Sequence, residues 1–132
     1  MFVFKTEIVD IYKQKGLIKE ENDYTFTDKS LDNFFYIGLI KKIFPNAKII
    51  DCRRNVLSCI MSIFKHNLIQ LPLTHNLGHI FKYLDIYYRT IENFKKVFPN
   101  FIYELKFEEF VNDPETESKK LLEFCDLPWD KK

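Results

Sequence analysis

Glycine is scarce in this chain, which has only three, Gly16, Gly38 and Gly78. None of them belongs to a GxxxxGK[ST] run, so the sequence lacks an ordinary phosphate-binding loop, and a small nucleotide kinase is disfavoured. Cysteine is scarce too, with three residues and no CxxC pair. An odd count without such pairs argues against a disulfide framework or a zinc site, and we expect no bound metal.

The chain also lacks long apolar runs and an excess of either charge. No apolar stretch reaches the length that crosses a bilayer, and the charge at Lys5 comes too early for a signal peptide. We therefore expect a cytoplasmic protein with no membrane segment. The formal net charge is +1 and the basic residues are spread along the chain. Nucleic acid and membrane surfaces are consequently not expected as partners.

Aromatic residues, by contrast, are abundant at 17% of the chain, which indicates a folded protein. The length of 132 residues suits a single domain spanning 1–132. Apolar spacing predicts helices at 3–15, 31–43, 55–66, about 77–97 and from Asp113 to near Cys125. Short β-prone runs predict strands at Tyr24–Thr27, Ala47–Cys52 and Phe101–Phe107, and 67–76 is predicted to be a loop.

The alternation of helices and strands predicts an α/β fold with a small parallel sheet of about three strands, flanked by helices. Lys29 follows one predicted strand and Arg54 follows the next. Because parallel strands end at the same edge of a sheet, Lys29 and Arg54 are predicted to face one crevice. Arginine beside a helix start, with the hydroxyls of Ser58 and Ser62 on that helix, suits a phosphate or sulfate group.

Several of these residues also have a plain structural interpretation, which the sequence leaves open. Lys29 is equally well explained as a solvated lysine at a helix start, and Ser62 as a serine on a helix face. Arg53 is expected to point away from Arg54 and to stabilise the fold. Cys59 lies in an apolar helical pattern, which predicts burial as a small hydrophobe, and the same holds for Cys125.

Other residues are assigned to the fold alone. The cluster Tyr87–Arg89 is predicted to be a packing face with a polar partner. Glu108 and Glu109 follow a strand directly and are predicted to cap a short turn. Asp113, with Pro114 after it, is predicted to cap the last helix.

Three segments carry a family resemblance: TDKSLDNFFYIGLIKKIFPNAKIIDCRRNVLSC, then KYLDIYYRTIENFKKVFP, then FEEFVNDPE followed by LLEFCDLPW. In this order, over most of residues 25–130, they resemble the sulfotransferases, specifically the bacterial type related to protein-tyrosine sulfotransferases. The resemblance implies part of a P-loop-type sulfotransferase domain. It also implies transfer of a sulfuryl group from 3′-phosphoadenosine 5′-phosphosulfate (PAPS) to a hydroxyl acceptor, without a metal.

The resemblance implies roles for four residues. Arg54 and Ser62 match the arginine and serine that hold the 3′-phosphate of the nucleotide. Lys29 matches a lysine near the transferring sulfate, where it would stabilise charge on the bridging oxygen. Phe107 falls where many members have a tyrosine that meets the nucleotide. The aromatic face is retained there, but the hydroxyl is lost.

The sequence departs from the family at its amino end. The family's first strand and glycine-containing phosphate loop, which grips the 5′-phosphosulfate, should precede the segments seen here. We therefore expect a truncated or shortened domain, for which enzymatic activity stays open. The alternative is a non-catalytic remnant that binds a nucleotide or a protein, with an exposed sheet edge for a partner chain.

Overall fold

The computed structural model describes residues 10, 11, 13–16, 27–66 and 71–130. The chain divides into two compact units, Met1–Ala47 and Lys48–Lys132. In the first unit, a helix ends at Gly16, where φ is +66° and the amide donates to the Lys13 carbonyl at 2.9 Å. Glycine adopts this left-handed backbone without the steric cost of a Cβ. The predicted stop of the first helix is confirmed, while its predicted start lies outside the described residues.

The second helical stretch of the first unit combines two helix types. A 3₁₀ helix, Leu31–Tyr36, leads directly into helix α1, Ile37–Ile43. Phe34 and Ile37 are its buried residues. The predicted helix over 31–43 is thus helical throughout, with a tighter first half. Of the predicted strand Tyr24–Thr27, only Thr27 is described, and it has no regular structure.

Of the elements formed by the described residues, the second unit contains two strands and most of the helices. Its elements are β1 (Ile49–Arg53), α2 (Val56–His66), a 3₁₀ turn (Pro72–His75), α3 (Leu77–Val97), β2 (Ile102–Lys106), α4 (Phe107–Asn112) and α5 (Pro114–Phe124). The predicted helices and strands of this unit are confirmed, apart from shifts at their ends. Helix α4 was not predicted, and the predicted loop contains the short 3₁₀ turn.

Strands β1 and β2 pair in parallel, with Asp51 opposite Glu104 and Arg53 opposite Lys106. Within the described residues the sheet has these two strands. Except for Thr27, the third predicted strand, Tyr24–Thr27, lies outside those residues. Helices α2 and α3 lie between β1 and β2 in the chain, as a parallel connection requires. The α/β class, with helices flanking a small parallel sheet, is therefore confirmed.

Apolar side chains hold the helices of the second unit against the sheet. Ile60 of α2, Ile80 and Ile91 of α3, and Phe101 just before β2 are buried. Helix α2 contacts α3, and α5 contacts β2, where the rings of Tyr103 and Phe124 lie 5.2 Å apart. Helix α5 thus packs against strand β2, and helix α3 packs against helix α2.

Side-chain caps fix where helices α3 and α5 begin. Asn76 accepts a hydrogen bond from the His79 amide at 3.1 Å at the start of α3. Asp113 accepts one from the Thr116 amide at 3.2 Å, with Pro114 as the first helical residue, which confirms the predicted cap of α5. The predicted burial of Cys59 is wrong in degree, since it is half-buried, and Cys125 is half-buried too. Cys59 lies in the first turn of α2, and Cys125 directly follows the last residue of α5, so neither is in the middle of a helix.

Candidate functional site

Two consecutive arginines at the end of β1 have different partners. The Nε of Arg53 donates to Asp51 Oδ2 at 2.7 Å, and Nη2 donates to Glu92 Oε1 at 2.9 Å. Glu104 Oε2 lies 3.4 Å from the same Nε. The guanidinium also lies over the ring of Tyr88, 4.9 Å from its centroid. The side chain is only 18% exposed, so Arg53 is structural, as predicted.

The partners of Arg53 belong to a larger polar cluster on the α3 side of the sheet. We call it the Asp51 network, and its members are Asp51, Arg53, Tyr87, Glu92, Lys95 and Glu104. The Asp51 side chain is 1% exposed and accepts a hydrogen bond from the Tyr87 hydroxyl. Lys95 donates to Glu104 and lies 3.8 Å from Asp51. Ion pairs and hydrogen bonds thus compensate the buried carboxylate, as they must.

The network shifts the pKa values of its members. A hydrogen bond from Arg53 lowers the pKa of Glu92, and one from Lys95 lowers the pKa of Glu104. Partial burial alone would lower the pKa of Arg53, but its carboxylate partners outweigh that effect and raise it. Burial raises the pKa of Tyr87, and the hydrogen bond to Asp51 raises it further. These shifts favour the charged carboxylates of Glu92 and Glu104 and the neutral phenol of Tyr87 at neutral pH.

Arg54 takes no part in this network. Its guanidinium carbon lies 5.1 Å from the centroid of the Phe107 ring. Within the described residues Arg54 forms no ion pair, so its N–H groups have no carboxylate partner there. Phe107 opens helix α4 and is 48% exposed. Two residues predicted to bind the nucleotide, Arg54 and Phe107, are thus brought together.

Two hydrogen bonds hold the turn that follows Arg54, and both involve Asn55. The side chain of Asn55 accepts a hydrogen bond from the Ser58 amide at 3.1 Å, which caps helix α2. The backbone amide of Asn55 itself donates to Glu108 Oε1 at 2.9 Å. That hydrogen bond lowers the pKa of Glu108. Glu108 was predicted to cap a turn near its own strand, but it binds a turn 53 positions away.

The other predicted site residues are not joined to this pair. Ser62 is half-buried on α2, and its hydroxyl forms no hydrogen bond with Arg54, Phe107 or any other described residue. Lys29 is exposed and belongs to the unit Met1–Ala47, whereas Arg54 belongs to the other unit. The crevice that Lys29 and Arg54 were expected to share stays a prediction.

Comparison with known proteins identifies the group to which these features belong. A family model described as the sulfotransferase family matches residues 1–131. This chain belongs to the sulfotransferase family. It is also 37% identical over 107 residues to a protein of Aquifex aeolicus (strain VF5) described as uncharacterized. That alignment covers 78% of this chain but 14% of the relative, so the chain spans a small part of the relative's length. No solved structure matches it.

Family membership confirms the resemblance seen in the sequence, and the match covers both units of this sulfotransferase-family chain. The roles of Lys29, Arg54, Ser62 and Phe107 are not tested by the match and stay predictions. Among the described residues, no helix is both long and apolar enough to cross a membrane. The same residues contain no group of three or more histidine, cysteine or acidic side chains that could hold a metal ion.

Proposed function

We propose that this chain binds the nucleotide of a sulfuryl donor, PAPS, within a sulfotransferase that modifies a hydroxyl acceptor. Arg54 and Ser62 bind the 3′-phosphate. The observation that carries the proposal is the contrast between Arg53, the last residue of β1, and Arg54, which follows it. Arg53 is held by three carboxylates, whereas Arg54 has none within the described residues and lies on an exposed aromatic ring.

The chemistry of the residues present fits a nucleotide phosphate. A guanidinium offers several N–H donors in one plane, a geometry that matches phosphate oxygens. The Ser62 hydroxyl follows on the adjoining helix, about two turns in, and has no competing partner in the described part of the chain. The exposed part of the Phe107 ring offers an apolar surface to a flat base, although phenylalanine lacks a hydroxyl for a hydrogen bond.

The chain's own residues would act mainly by positioning and by charge. When bound, the donor supplies an activated sulfuryl group whose leaving oxygen gains negative charge. A lysine near that oxygen stabilises the developing charge, and Lys29 is the residue proposed for this role. Arg54 and Ser62 fix the nucleotide so that the reacting groups stay aligned. No residue is assigned as the base that accepts the proton of the acceptor hydroxyl.

A second candidate is a nucleotide- or protein-binding module that performs no transfer. The observation in its favour is that Arg54 and Phe107, which lie together, are proposed for binding alone, and that no described residue is assigned as the base. Both candidates use the same 3′-phosphate site, so nucleotide binding alone does not separate them. Transfer of sulfate does. A cytoplasmic location is part of either proposal.

Nucleotide binding is tested by titrating adenosine 3′,5′-bisphosphate into the purified chain by calorimetry, and by following its melting temperature. A ligand that binds the folded state raises that temperature. Loss of charge-assisted hydrogen bonds should weaken binding about tenfold or more for Arg54→Ala, and Ser62→Ala should weaken it roughly threefold. Arg89→Ala, at a surface arginine paired with Asp85, should bind as the wild type does. A wild-type chain without measurable binding refutes the proposal.

Transfer is tested with a labelled donor and two classes of acceptor, tyrosine-containing peptides and sugars. Lys29→Ala should reduce transfer while leaving the affinity for adenosine 3′,5′-bisphosphate close to that of the wild type, because the lysine is assigned to the sulfuryl end. Binding of the bisphosphate without transfer to either acceptor favours the non-catalytic module.

A further inference from the structure

The β1–α2 turn carries Arg54, and its backbone is held by a residue that no sequence pattern links to it. Helix α2 begins at the cap Asn55, whose side chain accepts from the Ser58 amide at 3.1 Å. In a capping box, the third residue of the helix would be an acidic or amide side chain that binds the amide of the cap in return. That third residue here is Ser58. Glu108 of α4 provides the missing half, because it accepts from the Asn55 amide at 2.9 Å.

Glu108 is an unfavourable neighbour for an anion site if its charge is considered alone. It lies beside Phe107, the residue under the Arg54 guanidinium, and a carboxylate repels phosphate. The hydrogen bond from the Asn55 amide lowers the pKa of Glu108, and the Arg54 charge lowers it further. The two side chains nevertheless form no ion pair, and the carboxylate oxygen binds the backbone amide of Asn55 instead. The contact therefore acts on the shape of the turn.

We propose that Glu108 is a positioning residue for nucleotide binding. By holding the Asn55 amide, it fixes the backbone next to Arg54, so that the guanidinium is oriented before the 3′-phosphate arrives. The preceding residue, Arg53, is anchored by the Asp51 network, and the following residue, Asn55, is anchored by Glu108. Arg54 is thus held between two fixed neighbours. This inference rests on the proposed function, because it concerns the same phosphate site.

Hydrogen bonding and charge can be separated by substitution. Glu108→Gln keeps an oxygen acceptor and removes the charge, so affinity for adenosine 3′,5′-bisphosphate should equal or exceed that of the wild type. Glu108→Asp keeps the charge but is one methylene shorter and loses reach. This variant and Glu108→Ala should bind about three- to tenfold more weakly, the range expected for one hydrogen bond. Glu109→Ala is the matched control, since Glu109 pairs with Lys106 on the surface.

The experiment measures dissociation constants by calorimetry for the bisphosphate, adenosine 3′-monophosphate and adenosine 5′-monophosphate. A positioning role for Arg54 predicts that Glu108→Ala reduces the preference for the 3′-monophosphate over the 5′-monophosphate. A general loss of structure would weaken both nucleotides alike. The melting temperature of each variant without ligand, together with hydrogen exchange at the Asn55 amide, shows whether the turn alone has loosened.

The outcomes distinguish this inference from the proposed function. If the wild type binds none of the three nucleotides, the proposed function is refuted, and the positioning role with it. If the wild type binds but Glu108→Ala binds equally well, the positioning role alone is refuted. It is also refuted if Glu108→Gln is as weak as Glu108→Ala, or if the variants weaken both monophosphates equally.

Discussion

Replacing Arg53 by methionine tests whether the Asp51 network stabilises the second unit. Methionine has a similar length and is apolar, so the substitution removes the charge with little change in packing. It leaves the carboxylates of Asp51, Glu92 and Glu104 with Lys95 as the one cation remaining in the network. Asp51 has no access to water, since its side chain is 1% exposed. The variant therefore leaves a buried charge poorly compensated.

The expected loss follows from these contacts. Removing one partner of a buried ion pair costs about 3–5 kcal/mol. The lower end applies here, because Lys95 stays 3.8 Å from Asp51 and Glu92 is half-exposed and can turn to water. We expect Arg53→Met to lower the free energy of unfolding by about 3 kcal/mol. The double variant with Asp51→Asn should lose about 1–2 kcal/mol less stability than the sum of the losses in the two single variants.

Urea unfolding, followed by far-UV circular dichroism, measures these free energies, provided that the slope with urea is unchanged among the variants. Arg89→Met is the control, because Arg89 is 80% exposed and pairs only with Asp85 in the described residues. It should change the free energy by less than about 0.5 kcal/mol. Arg54→Met should be similarly mild. An Arg53→Met variant as stable as the wild type, or losses that add fully in the double variant, would show that the network contributes little.

Three further substitutions test the same unit. Tyr87→Phe should cost about 1 kcal/mol. Since the folded chain raises the pKa of Tyr87 above its ordinary 10.0, wild-type stability should fall as pH rises above that value. In Tyr87→Phe this alkaline loss of stability should be absent. If urea unfolding gives the variant the same alkaline profile as the wild type, Tyr87 is not its source. Folding lowers the pKa of Glu104 from 4.5 through Lys95, so stability should fall as pH drops below 4.5. In Lys95→Met the free energy of unfolding should depend less on pH below 4.5. The same pH dependence as in the wild type argues against the Lys95–Glu104 ion pair. Ile80→Ala, at a fully buried position, should cost about 3 kcal/mol; a loss in thermal unfolding below that of the exposed Phe81→Ala contradicts a core role.

The parts of the fold that could be predicted are those with a long local pattern. Helix α3 was predicted at about 77–97 and spans Leu77–Val97, because its apolar positions repeat over many turns and a proline follows at Pro99. Its cap, Asn76, is a residue type that favours helix starts. The two strands were recognised as apolar and aromatic runs. In each case the information lies within the segment itself.

Helix α4 could not be predicted, because it has only six residues. That is under two turns, too short for an apolar period to be visible. Its first residue, Phe107, is aromatic and reads as a continuation of strand β2. The hydrogen bond between Glu108 and the Asn55 amide joins residues 53 positions apart, and no local pattern reveals such a contact. The same limit applies to the Asp51 network, whose members come from both strands and from α3.

The different partners of Arg53 and Arg54 follow from the geometry of the strand. Neighbouring side chains of a β-strand point to opposite faces, and the carboxylates of the Asp51 network all lie on the face that α3 covers. Arg53 reaches them, so Arg54 is directed away and meets Phe107 instead. Moving one carboxylate to the other face would give Arg54 an ion-pair partner and would take one away from Arg53. The position of the acidic residues therefore decides that Arg53 stabilises the sheet, while Arg54 has no carboxylate partner among the described residues.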